Sequence, residues 1–188
     1  MDKPPFECYN IRKSMYGNVV WNMLSFLPSY IFPEITDISP GFLQDKDIRL
    51  LLMVFDNTML PYTKNTPSTE LLLWIRQMKD AGIALCIVSN SHKSRVPDFC
   101  KTYDISYVVH AAKPGTKGIY RAIEQQGAKQ KHTALVGDQI YTDVLGANRA
   151  GVTSLLVRSI HNHNIWLKLR HLLEVPFIAM ARKRRVQL

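Results

Sequence analysis

The chain has 188 residues, of which 46% are hydrophobic and 21% charged, and this ordinary globular composition excludes a disordered or collagen-like chain. Its 24 basic and 15 acidic residues give a net charge of +9. The length predicts one domain. Three cysteines without a CxxC spacing indicate neither a disulfide framework nor a zinc site, which favours a reducing compartment.

The excess positive charge lies at the end of the chain. Residues 158–188 contain seven basic residues and one acid, whereas residues 1–157 contain 17 basic and 14 acidic residues. The larger part of the chain is therefore nearly balanced. This distribution argues against a protein that binds a specific nucleic acid over its whole surface.

In chain order, an irregular, aromatic-rich segment precedes a regular pattern. Residues 1–47 predict one or two short amphipathic helices and a turn-rich stretch. Apolar runs then predict strands at 48–55, 83–88, 105–110, 133–136 and 152–157. Helical periodicity predicts helices at 66–81, 91–103, 116–126 and 142–150.

This alternation predicts an α/β fold with a parallel sheet and helices on both faces. We expect three parts: the irregular segment 1–47, an α/β core over 48–158, and a basic amphipathic tail over 159–188. No stretch is long enough to predict a large cap domain inserted in the core. No apolar run predicts a membrane-spanning helix, and no secretory signal is predicted at the N-terminus.

Polar side chains follow the predicted strands, where the ligands of parallel sheets bind. Asp56 follows the first strand, Ser89 the second, Lys113 the third and Asp138 the fourth. Two carboxylates and a lysine suit a divalent cation and a phosphate group. Ser89 and the helix N-terminus behind it would donate hydrogen bonds to phosphate oxygens.

The order of these residues resembles that of the haloacid dehalogenase (HAD) phosphohydrolases. That family's motifs are DxDx[TV], a Ser or Thr, a Lys and an acidic pair. The resemblance is closest to the YqeG-type branch, HAD subfamily IIIA, whose phrase GDQxxTDVxGxNRxG appears here at residues 137–151. It covers residues 26–158 and implies a HAD-like fold, a phosphomonoester substrate and Mg²⁺. Relatives in that branch act on phosphatidylglycerophosphate.

The resemblance also implies roles for individual residues. The catalytic residues would be Asp56, Lys113 and Ser89. Phosphate would be bound by Ser89, Asn90, Lys113 and Thr58, and the metal by Asp56, Asp138 and Asp143.

The chain departs from the family at its first motif. Val54 stands where the family has the aspartate that attacks phosphorus and binds the metal, and valine does neither. Two hypotheses follow: a working phosphatase in which Asp56 or another group replaces the missing carboxylate, or a degenerate member that binds phosphate or an acidic lipid. Replacement by Asp56 requires the strand to end two residues later, with Thr58 in the second acidic position.

The basic tail has an apolar face with helical spacing, formed by Ile165, Trp166, Leu169, Leu172 and Leu173. It predicts either a helix that docks on the core or an interfacial anchor on an anionic membrane. A nucleic-acid tail is a third, weaker alternative, because the apolar residues do not interleave with the charges. We expect a cytoplasmic protein that sits peripherally at the inner face of the membrane.

Overall fold

The structure is a computed structural model that describes residues 25–91 and 94–160. Strands and helices alternate along most of this part of the chain. The strands are β1 (Tyr30–Phe32), β2 (Leu50–Met53), β3 (Ala84–Val88), β4 (Ser106–Val108), β5 (Thr133–Gly137) and β6 (Thr153–Val157). The α-helices are α1 (Pro40–Asp45), α2 (Thr69–Asp80), α3 (Arg95–Tyr103), α4 (Lys117–Gln125) and α5 (Leu145–Arg149).

The six strands form one sheet in the order β1-β6-β5-β2-β3-β4, and every pair is parallel. All five predicted strands are confirmed. The sheet has a sixth strand, β1, within the segment that the sequence predicts to be irregular. β1 has only three residues and pairs with β6 alone, so it lacks the long apolar run by which the central strands are recognised.

β2 lies at the centre of the sheet and is buried on both faces. Its residues alternate between two hydrophobic clusters, with Leu51 and Met53 in one and Leu50 and Leu52 in the other. Helices α2 and α3 cover the first face, and α4 and α5 cover the second. This confirms the predicted parallel sheet between two layers of helices.

The helix predicted at 142–150 is shorter and begins differently. A π-helical turn, Ile140–Val144, follows β5 and leads directly into α5. The wider turn places Asp143 back beside the end of β5, where its side chain is buried. The connection from 54 to 68, between β2 and α2, holds an isolated bridge between Asp56 and Leu60 and no inserted domain.

Asn148 joins the edge of the sheet to α5. Its side-chain NH₂ donates to the carbonyls of Ser25 (2.7 Å) and Leu27 (2.9 Å), and its Oδ1 accepts from Ser154 Oγ at 2.8 Å. Ser154 Oγ in turn accepts from the backbone N–H of Ser29 at 2.9 Å. The residue therefore fixes the segment that leads into β1.

The predicted amphipathic tail after residue 160 lies outside the described residues, and so does most of the segment in which the sequence predicts one or two short helices before the turn-rich stretch. The described part of that segment, from residue 25, holds turns and β1 instead, and α1 lies where the turn-rich stretch is predicted. Within the described part, no helix is both long and apolar enough to cross a membrane.

We predict that Asn148→Ala lowers the free energy of unfolding by about 2–3 kcal/mol, because three hydrogen bonds are lost at about 1 kcal/mol each. Urea denaturation measures the change. The exposed neighbour Arg149→Ala is the control and should stay within about 0.5 kcal/mol of the parent. Equal stabilities of the two variants would contradict the role given to Asn148.

Candidate active site

The residues predicted for the site lie at the carboxyl edge of the sheet, as expected, but they separate into two groups. Lys113, Asp143, Asp138 and Thr58 form a connected buried group. Asp56 points instead to Arg95. The two groups flank the end of β2.

The first group is built on an ion pair. Lys113 Nζ lies 2.8 Å from Asp143 Oδ1, and the two side chains are only 2% and 3% exposed. A second carboxylate oxygen, Asp143 Oδ2, accepts a hydrogen bond from the N–H of Gln139 at 3.1 Å. A buried pair of this kind is tolerated because each charge is paired and further hydrogen-bonded.

Gly137 allows Asp143 to approach the sheet. A Cβ atom at position 137 would lie 2.5 Å from the Asp143 side chain, which is closer than any real contact of this type. Position 137, the first glycine of the last motif, must therefore lack a side chain so that Asp143 can occupy this space.

Asp138 is the second carboxylate of this group. Its Oδ1 accepts a hydrogen bond of 2.8 Å from Thr58 Oγ1. Burial and, to a smaller extent, the charge of Asp143 together raise the pKa of Asp138 to about 6, and the hydrogen bond from Thr58 opposes both effects. A cation beside Asp138 would therefore be stabilised.

Asn90 holds Lys113 in place. Its Oδ1 accepts from the backbone N–H of Lys113 at 2.8 Å, and its NH₂ donates to the Lys113 carbonyl at 3.0 Å. The sequence predicts Asn90 to contact phosphate, whereas the structure engages both of its amide atoms with the backbone of Lys113. Its position is thus that of a residue that orients the lysine.

Ser89 is buried directly after β3, as predicted. Its Oγ accepts a hydrogen bond from the N–H of Ser91 at 3.0 Å, which shapes the turn before α3. Its hydroxyl proton is not required by that contact, so Ser89 retains a donor for a ligand oxygen.

Position 54 has no polar character. The Val54 N–H donates to Val136 O at 3.0 Å, and its side chain packs with the apolar cluster that contains Leu52 and Val88. β2 ends at Met53, so the longer strand that would place Asp56 in the nucleophile position is not formed.

Arg95 neutralises Asp56. Its guanidinium lies 2.8 Å from Asp56 Oδ1 and donates to the carbonyls of Pro61 and Tyr62, each at 3.1 Å, and of Lys64. Arg95 is not among the residues that the sequence predicts for the site. Its place in the first turn of α3 is a weak signal, and its partners lie more than 30 residues away in the chain.

The predicted metal ligands are only partly assembled. Among residues 25–91 and 94–160, no three His, Cys, Asp or Glu side chains are grouped in a way that could hold a metal ion. Asp138 and Asp143 have the oxygen chemistry that suits a divalent cation, and the charge of Asp143 acts on Asp138. Asp56 does not join them, because its carboxylate lies against Arg95.

Comparisons with known proteins agree with the geometry. Residues 110–166 match the HAD-hydrolase-like family. A Bacillus subtilis protein named probable phosphatase YqeG is 33% identical over 132 residues, which cover 70% of this chain and 77% of that protein. The glyceraldehyde 3-phosphate phosphatase of Methanopyrus kandleri is 23% identical over 124 residues, which cover 61% of this chain and 52% of its own length.

The fold has a counterpart among solved structures. An uncharacterized protein from Listeria monocytogenes matches 63% of this chain and 84% of its own, with a TM-score of 0.51 and 13% identity. At this identity the likeness concerns the fold alone.

We predict that Lys113→Met lowers the free energy of unfolding by about 3–5 kcal/mol, because it leaves the buried charge of Asp143 unpaired. The double variant Lys113→Met/Asp143→Asn should recover most of this loss. Denaturant unfolding of the single and double variants gives the coupling, with exposed Lys117→Met as the control. Additive losses would show that the two side chains do not interact.

We also predict a pH dependence that originates at Asp138. Because its pKa is about 6 in the folded chain and near 4 when unfolded, the folded state binds the proton more tightly between these values. The free energy of unfolding should therefore fall by up to about 3 kcal/mol as pH rises from about 4 to about 6, and this contribution should be constant above that.

Asp138→Asn should remove this contribution in metal-free buffer. Unfolding of both proteins across the pH range measures it, and Asp45→Asn, which neutralises an exposed acid, should leave it intact. A difference between parent and Asp138→Asn that does not change with pH would refute the assignment.

Proposed function

Since the chain belongs to the YqeG-type branch of the HAD phosphatase family, we propose that its site binds a phosphomonoester without the covalent phosphoryl transfer typical of that family. One observation carries this proposal. The group around Lys113 and Asp138 is formed, whereas the nucleophile position is a valine packed in an apolar cluster.

Each residue of the formed group has a task in binding phosphate. Lys113 supplies a positive charge that Asp143 holds in place, and Ser89 supplies a hydroxyl donor. HAD phosphatases typically use a divalent metal. In this chain Asp138 and Asp143 would hold it, and the bound ion, which we propose to be Mg²⁺, would neutralise charge on the phosphate oxygens.

The loss at position 54 affects the chemistry more than the binding. A family nucleophile forms a bond to phosphorus as the alcohol leaves, and valine has no electron pair to form that bond. Asp56 is the remaining carboxylate after β2. To act as the nucleophile it would have to leave Arg95, and the ion pair opposes this movement.

The resemblance to the YqeG-type branch supports phosphatidylglycerophosphate, or a similar phosphomonoester of phospholipid biosynthesis, as the ligand. The basic run at 182–185 supports contact with an anionic membrane surface from the cytoplasmic side, where each basic residue contributes about 1 kcal/mol. The second candidate function is hydrolysis of the same ligand with Asp56 as the nucleophile, which would make this chain a working phosphatase.

The decisive experiment combines phosphate binding with phosphate release. We expect the parent chain to bind inorganic phosphate in the presence of Mg²⁺ by calorimetry, and Lys113→Met/Asp143→Asn to lose this binding while Lys117→Met keeps it. The parent should release no phosphate from p-nitrophenyl phosphate above the level of Asp138→Asn. Val54→Asp should release phosphate about 100-fold or more above that background level, because it restores the nucleophile.

Circular dichroism must show that Val54→Asp is folded, since its carboxylate enters an apolar cluster. Phosphate release by the parent chain that Asp56→Asn abolishes without unfolding would replace our proposal by catalysis through Asp56. A parent chain that binds no phosphate with or without Mg²⁺ would overturn both functions, and that result does not depend on the variant at position 54.

A further inference from the structure

A cavity of about 560 Å³ lies at the carboxyl edge of the sheet, beyond the ends of β1 and β6. Pockets that take organic ligands have volumes of about 300–1,000 Å³, so this cavity has the size of a small-molecule site. Of the residues that the sequence predicts for the site, Thr58 alone lines it. The cavity therefore adjoins the phosphate-binding group and leaves the position of the phosphate itself to Lys113 and Ser89.

Two hydroxyl groups connect the cavity to the phosphate-binding group. Thr58 lines the cavity and donates to Asp138 Oδ1 at 2.8 Å. Ser159 also lines it and lies beside the same carboxyl group. The Ser159 Oγ is buried, yet within the described part of the chain it has no hydrogen bond of ordinary geometry. A ligand whose phosphate is bound next to Asp138 thus meets an unused hydroxyl where it enters the cavity.

The interior of the cavity is apolar. Four of its lining side chains are at most 5% exposed, namely Ile35, Met59, Leu60 and Leu71. Its charged lining residues are all exposed, and two acids balance two bases: Glu34, Glu70, Lys64 and Arg158. A charged group in the interior would lose its hydration without gaining a partner, so the lining favours an uncharged, apolar occupant.

Hydrogen bonds hold the walls of the cavity in place before any ligand binds. The Arg95 guanidinium donates to the carbonyls of Pro61, at 3.1 Å, and Lys64, and both of these residues line the cavity. The N–H of Ile160 donates to the carbonyl of Asn57 at 2.9 Å, which joins the segment after β6 to the loop after β2. A ligand that enters a preformed cavity does not have to order its walls.

We propose that this cavity receives the alcohol part of the phosphomonoester, and that this part is an uncharged, predominantly aliphatic group. The proposal rests on the proposed function, because the phosphate must be bound beside Asp138 for the alcohol to enter here. The phosphate-binding group would then recognise any phosphomonoester, and the cavity would select among them by the apolar surface of the alcohol.

Titration calorimetry with a series of alkyl phosphates tests the proposal. The parent chain, with Mg²⁺, is titrated with methyl, butyl and hexyl phosphate at concentrations below those that form micelles. A methylene that becomes fully buried tightens binding by about fourfold. Half of that gain in free energy over five methylenes makes hexyl phosphate bind about 30-fold tighter than methyl phosphate.

Methionine NMR locates the alkyl chain. The chain has seven methionines, and Met59→Leu assigns the methyl resonance of the one that lines the cavity. Hexyl phosphate should shift the Met59 resonance and methyl phosphate should not. Met53 and Met78, which are fully buried and outside the lining, should keep their resonances with either ligand.

Three matched variants test whether the cavity is the cause of the gain. Thr36→Phe and Thr66→Phe fill the cavity from two parts of its lining, and each should reduce the affinity ratio of hexyl to methyl phosphate to about threefold or less. Thr63→Phe adds the same ring at an exposed position outside the lining and should keep the ratio of the parent. Because the ratio is taken within each variant, an effect on phosphate binding itself cancels.

Two results would overturn the proposal while leaving the proposed function intact. The first is equal affinity for methyl and hexyl phosphate in a chain that binds inorganic phosphate, which would assign the cavity to another occupant. The second is a gain that survives in both Thr36→Phe and Thr66→Phe without a shift of Met59, which would place the alkyl chain elsewhere. A parent chain that binds neither inorganic nor methyl phosphate would overturn the proposed function, and this inference with it.

Discussion

The buried ion pair between Lys113 and Asp143 connects parts of the chain that no local interaction would bring together. Lys113 follows β4, near one side of the sheet, while Asp143 lies in the π-helical turn after β5. Two other residues make this ion pair possible. Asn90 fixes the backbone of the lysine, and Gly137 leaves the space that the carboxylate occupies.

The three carboxylates of the site differ in how their charges are paired. Lys113 and Arg95 each neutralise one carboxylate, Asp143 and Asp56 respectively, and Asp138 remains as the carboxylate whose pKa is raised. A ligand that brings its own cation is therefore suited to the Asp138 side. On the Asp56 side the guanidinium already fills that role, and it also ties down the loop that follows β2.

Much of the fold could be predicted because strands buried on both faces require long apolar runs, and those runs are visible in the sequence. β1 could not, because three residues at a sheet edge need no such run. The places of Asp56, Ser89, Lys113 and Asp138 at one edge could be predicted because parallel strands end there, while their roles stay predictions. Arg95 and the role of Asn90 were not, since each depends on partners more than 20 residues away whose distance no local pattern encodes.

The position of Val54 in the β2–β5 ladder has a consequence for how this chain could have arisen. Valine is a favourable strand residue, and here it completes an apolar cluster, so its substitution for a buried carboxylate carries no folding penalty. A mutation at Gly137 would collide with Asp143 and be removed by selection for stability. At this sheet edge, position 54, where the family has its nucleophile, accepts an apolar residue, whereas position 137 accepts only glycine. Exchange of a carboxylate for valine at position 54 would therefore leave both the fold and the group around Lys113 and Asp138 in place.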